Sequence, residues 1–232
     1  MEWVPALVCA LIGAALGLLV PWLVARCPEP EHDPDENPED YPDHVPFARL
    51  AARPGLRWGS AVACGLAAGV LGLALGWGWA LLWLLPLVPV CCALTVIDYV
   101  TWYLPSRLIQ PAWLVTGVLV GVVAVIVGEP RVALWGLIGF VALGGYYGLM
   151  WLVSPRAMAG GDVRLGALLG IALGPFGAGV LIVSAVAAAV LAVLGLVPLR
   201  RNGTMIRRRV PYGPFLVLGA LAAIVVGQVL SA

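Results

Sequence analysis

Eight apolar runs, at about 3 to 25, 58 to 76, 79 to 97, 109 to 128, 131 to 153, 163 to 174, 177 to 198 and 211 to 230, dominate this chain of 232 residues. A helix needs roughly 20 apolar residues to cross a bilayer, and every run but the sixth is close to that length. With 62% hydrophobic residues and a mean hydropathy of +1.01, the chain has too little polar surface to cover a soluble domain of this size. The expectation is an all-α polytopic membrane protein with about eight transmembrane helices. The sixth run is short for a full span, and only the Gly-Trp-Gly-Trp stretch at 76 to 79 separates the second run from the third. Seven full spans is therefore the other count left open.

All thirteen basic residues are arginine. With eight spans and the amino terminus outside, every arginine except Arg131 falls in a cytoplasmic segment, a strong positive-inside signal. The first run does not read as a cleaved signal peptide. Its flank is acidic at Glu2, its apolar part exceeds an h-region, and no Ala-x-Ala site follows. The organisation read from the chain is a first transmembrane helix at 1–27, a cytoplasmic loop at 28–57 and a membrane-embedded body at 58–232. The first half of the loop is acidic and proline-rich, which favours a flexible segment. The second half, Arg49 to Arg57, reads as a solvated linker with arginines near the headgroups. Cys9, Cys27, Cys64, Cys91 and Cys92 form no Cys-x-x-Cys pair, so neither a zinc cluster nor a disulfide framework is indicated.

Of the twelve acidic residues, eight lie between Glu29 and Asp43, Glu2 is at the amino end, and Glu129 occupies an outer Gly-Glu-Pro-Arg turn. Asp98 and Asp162 are left beside long apolar runs, at the cytoplasmic edge of the membrane. Carboxylates there are costly to desolvate, and they are usually paired, turned to a polar cavity, or used in chemistry. A lone aspartate at such an edge more often caps a helix. Here Asp98 ends one apolar run and opens a segment closed by Leu104-Pro105, with a new helix from about Leu108, while Asp162 follows Ala159-Gly160-Gly161. Proline restrains the connection, and the glycines permit a close backbone approach. If the two segments meet, the carboxylates can share a proton. One then serves as general base on water while the other polarises a carbonyl.

Three blocks in this order, Asp98 with Leu104-Pro105, Gly161-Asp162-Val163-Arg164-Leu165 with Gly170, and Val210-Pro211-Tyr212-Gly213-Pro214-Phe215, resemble the bacterial type IV prepilin peptidases. These are membrane aspartic peptidases of the Gly-x-Gly-Asp type. The resemblance spans roughly 90 to 232. A weaker match at the amino end comprises Gly13, Gly17 and Val24-Ala25-Arg26-Cys27-Pro28. It implies that 58–232 is the peptidase domain, with Asp98 and Asp162 as a catalytic dyad at the cytoplasmic face of the inner (plasma) membrane. Gly160, Gly161, Arg164, Pro105, Tyr212, Gly213 and Pro214 would bind substrate or shape the site. The implied substrates are prepilins or pseudopilins with basic leader peptides, cleaved by a multi-pass protein whose other partner is the lipid bilayer. No nucleic acid is expected as a partner.

The departures from that pattern also carry expectations. The leading glycine is Ala159, the lysine after the second aspartate is Arg164, and Leu-Pro-Asn becomes Leu104-Pro105-Ser106. Many members carry paired Cys-x-x-Cys motifs in the first cytoplasmic loop and also methylate the new amino terminus using S-adenosylmethionine. The segment from Pro28 to Trp58 holds no such pairs, and Cys27 alone cannot build a tetrahedral sulfur site. The expectation is thus peptidase activity without a cofactor, with no zinc or S-adenosylmethionine indicated. His32 and His44 have no partner cluster. Arg164 has an alternative role as a membrane-edge anchor, as have Tyr212 and Phe215 as interfacial aromatics. A proton-coupled transporter and a catalytically inactive assembly scaffold stay open as rival functions.

Overall fold

The computed structural model describes residues 3–29, 45–154, 158–196 and 211–231, and all regular structure among them is helical. Among the described residues, seven stretches are long and apolar enough to cross a membrane: Trp3–Ala25, Leu56–Leu75, Leu81–Thr101, Ser106–Val127, Pro130–Val153, Ala178–Gly195 and Gly213–Leu230. The protein is an all-α polytopic membrane protein. The sixth apolar run forms a shorter helix of 14 residues, Gly160–Leu173, prolonged by a 3-10 turn at Gly174–Phe176. At 1.5 Å per residue it is too short to match a bilayer core unaided, yet nearly every residue after Arg164 is buried inside the bundle.

The first span bends between α1 (Trp3–Gly17) and α2 (Val20–Ala25), with Pro21 in the first turn of α2. At the bend the Leu18 and Leu19 N–H groups reach back only three residues, to Ala15 and Leu16, as proline-linked kinks require. The Gly-Trp-Gly-Trp stretch does separate two helices: α4 (Leu56–Leu75) ends at Gly76, whose φ of +59° suits glycine alone, and α5 spans Leu81–Thr101. The loop's basic half is anchored at its start. Helix α3 (Phe47–Ala51) buries Phe47 and Leu50 completely against the α2 end, and the Phe47 N–H donates to Glu29 Oε1 at 2.7 Å. Arg49, Arg53 and Arg57 stay exposed. The rest of the acidic half, from Pro30 to Asp43, lies outside the described residues, as do Arg156 and the arginines between 200 and 209.

Three antiparallel pairs build the bundle. Helix α1 lies along α4, with Gly13 and Gly17 against Cys64 and Ser60. Helix α7 (Pro130–Val153) lies along α8 (Gly160–Leu173), and α9 (Ala178–Leu196) along α10 (Gly213–Ser231). The α7–α8 pair is the tightest: a Cβ on Gly139 would strike the Gly170 carbonyl, and one on Gly170 would strike that of Gly139. Gly166 and Gly170 on α8 and Gly174 in the turn that prolongs it repeat every four residues, the small-residue spacing that lets membrane helices approach backbone to backbone. Helices α5 and α6 (Ser106–Val127) complete the wall around α8. Trp83 Nε1 of α5 donates to the Ala172 carbonyl at 3.0 Å, and Trp113 Nε1 of α6 donates to the Arg164 carbonyl at 2.9 Å.

Candidate active site

Helix α5 runs four residues beyond the end of its apolar run, so Asp98 sits inside its last turn and not in a loop. That turn is closed locally. The Thr101 hydroxyl donates to the Ile97 carbonyl at 2.8 Å, and Trp102 caps the helix in the left-handed region at φ +55°. The chain then passes through Leu104 and buried Pro105, extended at φ −68° and ψ 115°, directly into α6. Asp98 is only 4% exposed. Its Oδ2 accepts a 2.8 Å hydrogen bond from the Gly213 N–H, in the first turn of α10. The unpaired N–H groups and dipole of a helix start favour an anion there. A Cβ at 213 would stand 2.7 Å from that oxygen, so a side chain there would displace the carboxylate.

Asp162 is the third residue of α8 and 5% exposed. Its Oδ2 reaches back to accept the Ala159 N–H at 3.0 Å, while its own N–H donates to the Ala159 carbonyl. This is half of a capping box, since alanine has no side-chain acceptor to return the bond. The aspartate therefore does serve as a helix cap, but capping engages one oxygen. Oδ1 is buried and has no hydrogen-bond partner.

The chain segments carrying these carboxylates touch. Gly161 faces Leu104, and a Cβ at 161 would stand 2.6 Å from the Leu104 Cβ, so the Leu-Pro segment lies against the start of α8. The charge of Asp162 acts on Asp98 across this contact. Two acids far apart in sequence thus converge where α5 ends and α8 and α10 begin. Gly160 is different: the space beside it is open, so close approach is required at Gly161 alone. Arg164 is exposed and turned away, donating from Nη1 to the Ser106 hydroxyl at 2.8 Å at the start of α6. It links α8 to α6.

Tyr212 is half-buried beside Gly213, with its ring edge-on to Phe215 at 6.4 Å between centroids. Burial, followed by the neighbouring Tyr146 and the Asp162 charge, pushes its phenol above the usual range. Pro214 lines an apolar cleft of about 240 Å³ between α4, α5, α8 and α10. Thr95, three positions before Asp98, lines the same cleft. Tyr147 was not singled out from the sequence. It comes from α7, is 2% exposed, and lays its ring over Gly166, four residues after Asp162. The one signal in the sequence was a polar Tyr146-Tyr147 pair inside an apolar run, and hydropathy does not say which helix such a pair meets.

A structural zinc site needs about four converging Cys or His side chains. No group of three or more metal-ligating side chains occurs among the described residues. Burial, with the nearby Glu29 charge, pushes the Cys27 thiol up to about 11, away from the thiolate a metal requires.

No family model and no solved structure matches the chain. Two curated proteins do, each bearing the name prepilin leader peptidase/N-methyltransferase. The protein from Stutzerimonas stutzeri is 33% identical over 175 residues, which is 74% of this chain and 58% of that protein. The one from Pseudomonas putida is 32% identical over 170 residues, 72% of this chain and 57% of that protein. The chain thus spans less than two thirds of the length of these relatives. Over nearly three quarters of its own residues, it is a homologue of proteins named prepilin leader peptidases.

Proposed function

We propose that this chain is an aspartic endopeptidase that removes leader peptides from prepilins or pseudopilins at the cytoplasmic face of the inner membrane. The observation carrying this reading is the convergence of Asp98 and Asp162, both buried and each held by one backbone N–H. Two carboxylates within Coulombic reach in a low-dielectric site cannot both ionise cheaply, so they share a proton. The ionised member takes a proton from water as its oxygen attacks the scissile carbonyl carbon. The protonated member hydrogen-bonds the carbonyl oxygen as charge develops there. Collapse of the tetrahedral intermediate breaks the C–N bond, with a proton passed to the leaving amine. A backbone can approach at open Gly160, and the apolar cleft beside Thr95 and Pro214 offers room for hydrophobic substrate side chains.

The names of the relatives join peptidase to methyltransferase. For this chain we propose peptidase activity alone, because the first loop lacks paired cysteines and no group of three or more metal-ligating side chains occurs among the described residues. A proton-coupled transporter is less well supported, since such proteins place their carboxylates near the bilayer midplane, whereas these occupy helix ends. The test uses purified protein in detergent with a prepilin processed by the Stutzerimonas stutzeri relative. Leader removal is expected on a gel, with an unmethylated new amino terminus by mass spectrometry even when S-adenosylmethionine is supplied. An intact prepilin would overturn the peptidase reading; a methylated product would overturn the peptidase-only reading.

A further inference from the structure

Oδ1 of Asp162 is the one carboxylate oxygen among the described residues that is buried without a hydrogen-bond partner. Buried acceptors of this kind nearly always find a donor, from protein or ordered water. The obvious candidates are already engaged. The Ala159 N–H serves Oδ2, the Gly213 N–H serves Asp98, and the Arg164 guanidinium is turned to Ser106. Apart from Asp98, its partner in the pair, what remains nearby are phenols. The Tyr147 ring occupies the space of the missing side chain at Gly166, where a Cβ would lie 2.9 Å from its Cε2. Gly166 is four residues past Asp162, so both lie on the same face of α8. Tyr212 stands next to the glycine that grips Asp98. The Asp162 charge reaches both phenols, and the phenols interact with each other. No hydrogen bond engages either hydroxyl among the described residues.

The geometry points to Tyr147 and Tyr212 as positioning residues that donate, directly or through one ordered water, to Oδ1 of Asp162. A phenol keeps its proton throughout the range in which carboxyls titrate. A donor aimed at the carboxylate favours its ionised form, so the shared proton rests on Asp98 and Asp162 becomes the base. The titratable groups around Asp162 are Asp98 from α5, Tyr147 from α7 with Tyr146 beside it, and Tyr212 at the start of α10. The catalytic consequence rests on the peptidase reading above; the hydrogen bonding itself does not.

The test is therefore made first without substrate. In purified Asp98→Asn protein, where Asp162 alone remains of the pair, the buried carboxyl band is titrated by infrared spectroscopy. Loss of the band on adding Asp162→Asn assigns it. Adding Tyr147→Phe and Tyr212→Phe together should raise its midpoint by about one pH unit, because the charged form loses its donors. Phenylalanine keeps the ring over Gly166, so packing is retained. Tyr99→Phe, at a residue 70% exposed, should leave the midpoint in place. An unchanged or lowered midpoint in the double phenylalanine variant overturns the assignment. In the Asp98-containing enzyme, the acid limb of prepilin cleavage should move upward by a similar amount. A prepilin left intact by the wild-type protein would remove the peptidase reading without touching the titration result. A stationary midpoint would remove the tyrosine assignment without touching the peptidase reading.

Discussion

Asp98 and Asp162 are alike in what holds them and different in what surrounds them. Each is buried and gives one oxygen to a backbone N–H, from Gly213 and Ala159 respectively. Replacing either by Asn removes half of a proton-sharing pair, and prepilin cleavage should fall below detection while the variants still insert and fold. Glu129→Gln, at an exposed outer turn, should match the wild type; retained cleavage in either Asn variant would strike that aspartate from the pair. Gly213→Ala tests the second contact. Its Cβ would meet Asp98 Oδ2 at 2.7 Å, and a hydrogen bond to a charged group contributes about 1.5–3 kcal/mol. A loss of roughly 10- to 100-fold in kcat is expected at unchanged helix content. Cleavage should follow a bell-shaped pH curve, since activity needs one carboxyl ionised and one protonated, and the two limbs belong to the pair. EDTA should move neither limb.

Helix α8 carries Asp162 and depends on its neighbours more than any span does. Its 14 residues are held by α7 through paired glycines and by two indole donors from α5 and α6. Gly170→Val would force the α7 and α8 backbones apart, and overpacking of this kind costs about 1–3 kcal/mol or more. Thermal unfolding in detergent should show that loss, together with reduced cleavage, because Asp162 rides on the displaced helix. An unaffected melting point would mean that the close approach of α7 and α8 is not needed. The short helix α3 makes a parallel case. Phe47 is fully buried and stacked on Tyr103 at 6.2 Å between centroids. Phe47→Ala should cost about 3 kcal/mol, far more than a residue of a solvated linker would.

At the scale of the whole molecule, Asp98 and Asp162 lie at one end of the helices. The first loop, whose eight acids lie between Glu29 and Asp43, begins and ends on that side, where Cys27 and Phe47 pack beside Ile97 and Tyr103. A basic leader would be attracted to it. Neutralising those acids should raise the apparent KM for prepilin more than it lowers kcat. The difference should fade as added salt shortens the Debye length to about 10 Å at 0.1 M. Equal salt dependence in wild type and variant would reduce the loop to a tether.

Hydropathy alone determined the helical class and placed the helix boundaries within a few residues, because each span must satisfy its backbone internally and present an apolar surface. The scarcity of acids beside apolar runs marked Asp98 and Asp162 for the same reason: an unexplained carboxylate is expensive there. Neither argument could say that Asp98 belongs to a helix turn, that Gly161 but not Gly160 is pressed against Leu104, or that Arg164 reaches Ser106. Nor could they find Tyr147 or the burial of Phe47. Those facts depend on which helix faces which, and inside a membrane all apolar faces read alike. The glycine pairs, indole donors and helix-start contacts that choose between them join residues far apart in the chain, so only the tertiary structure decided them.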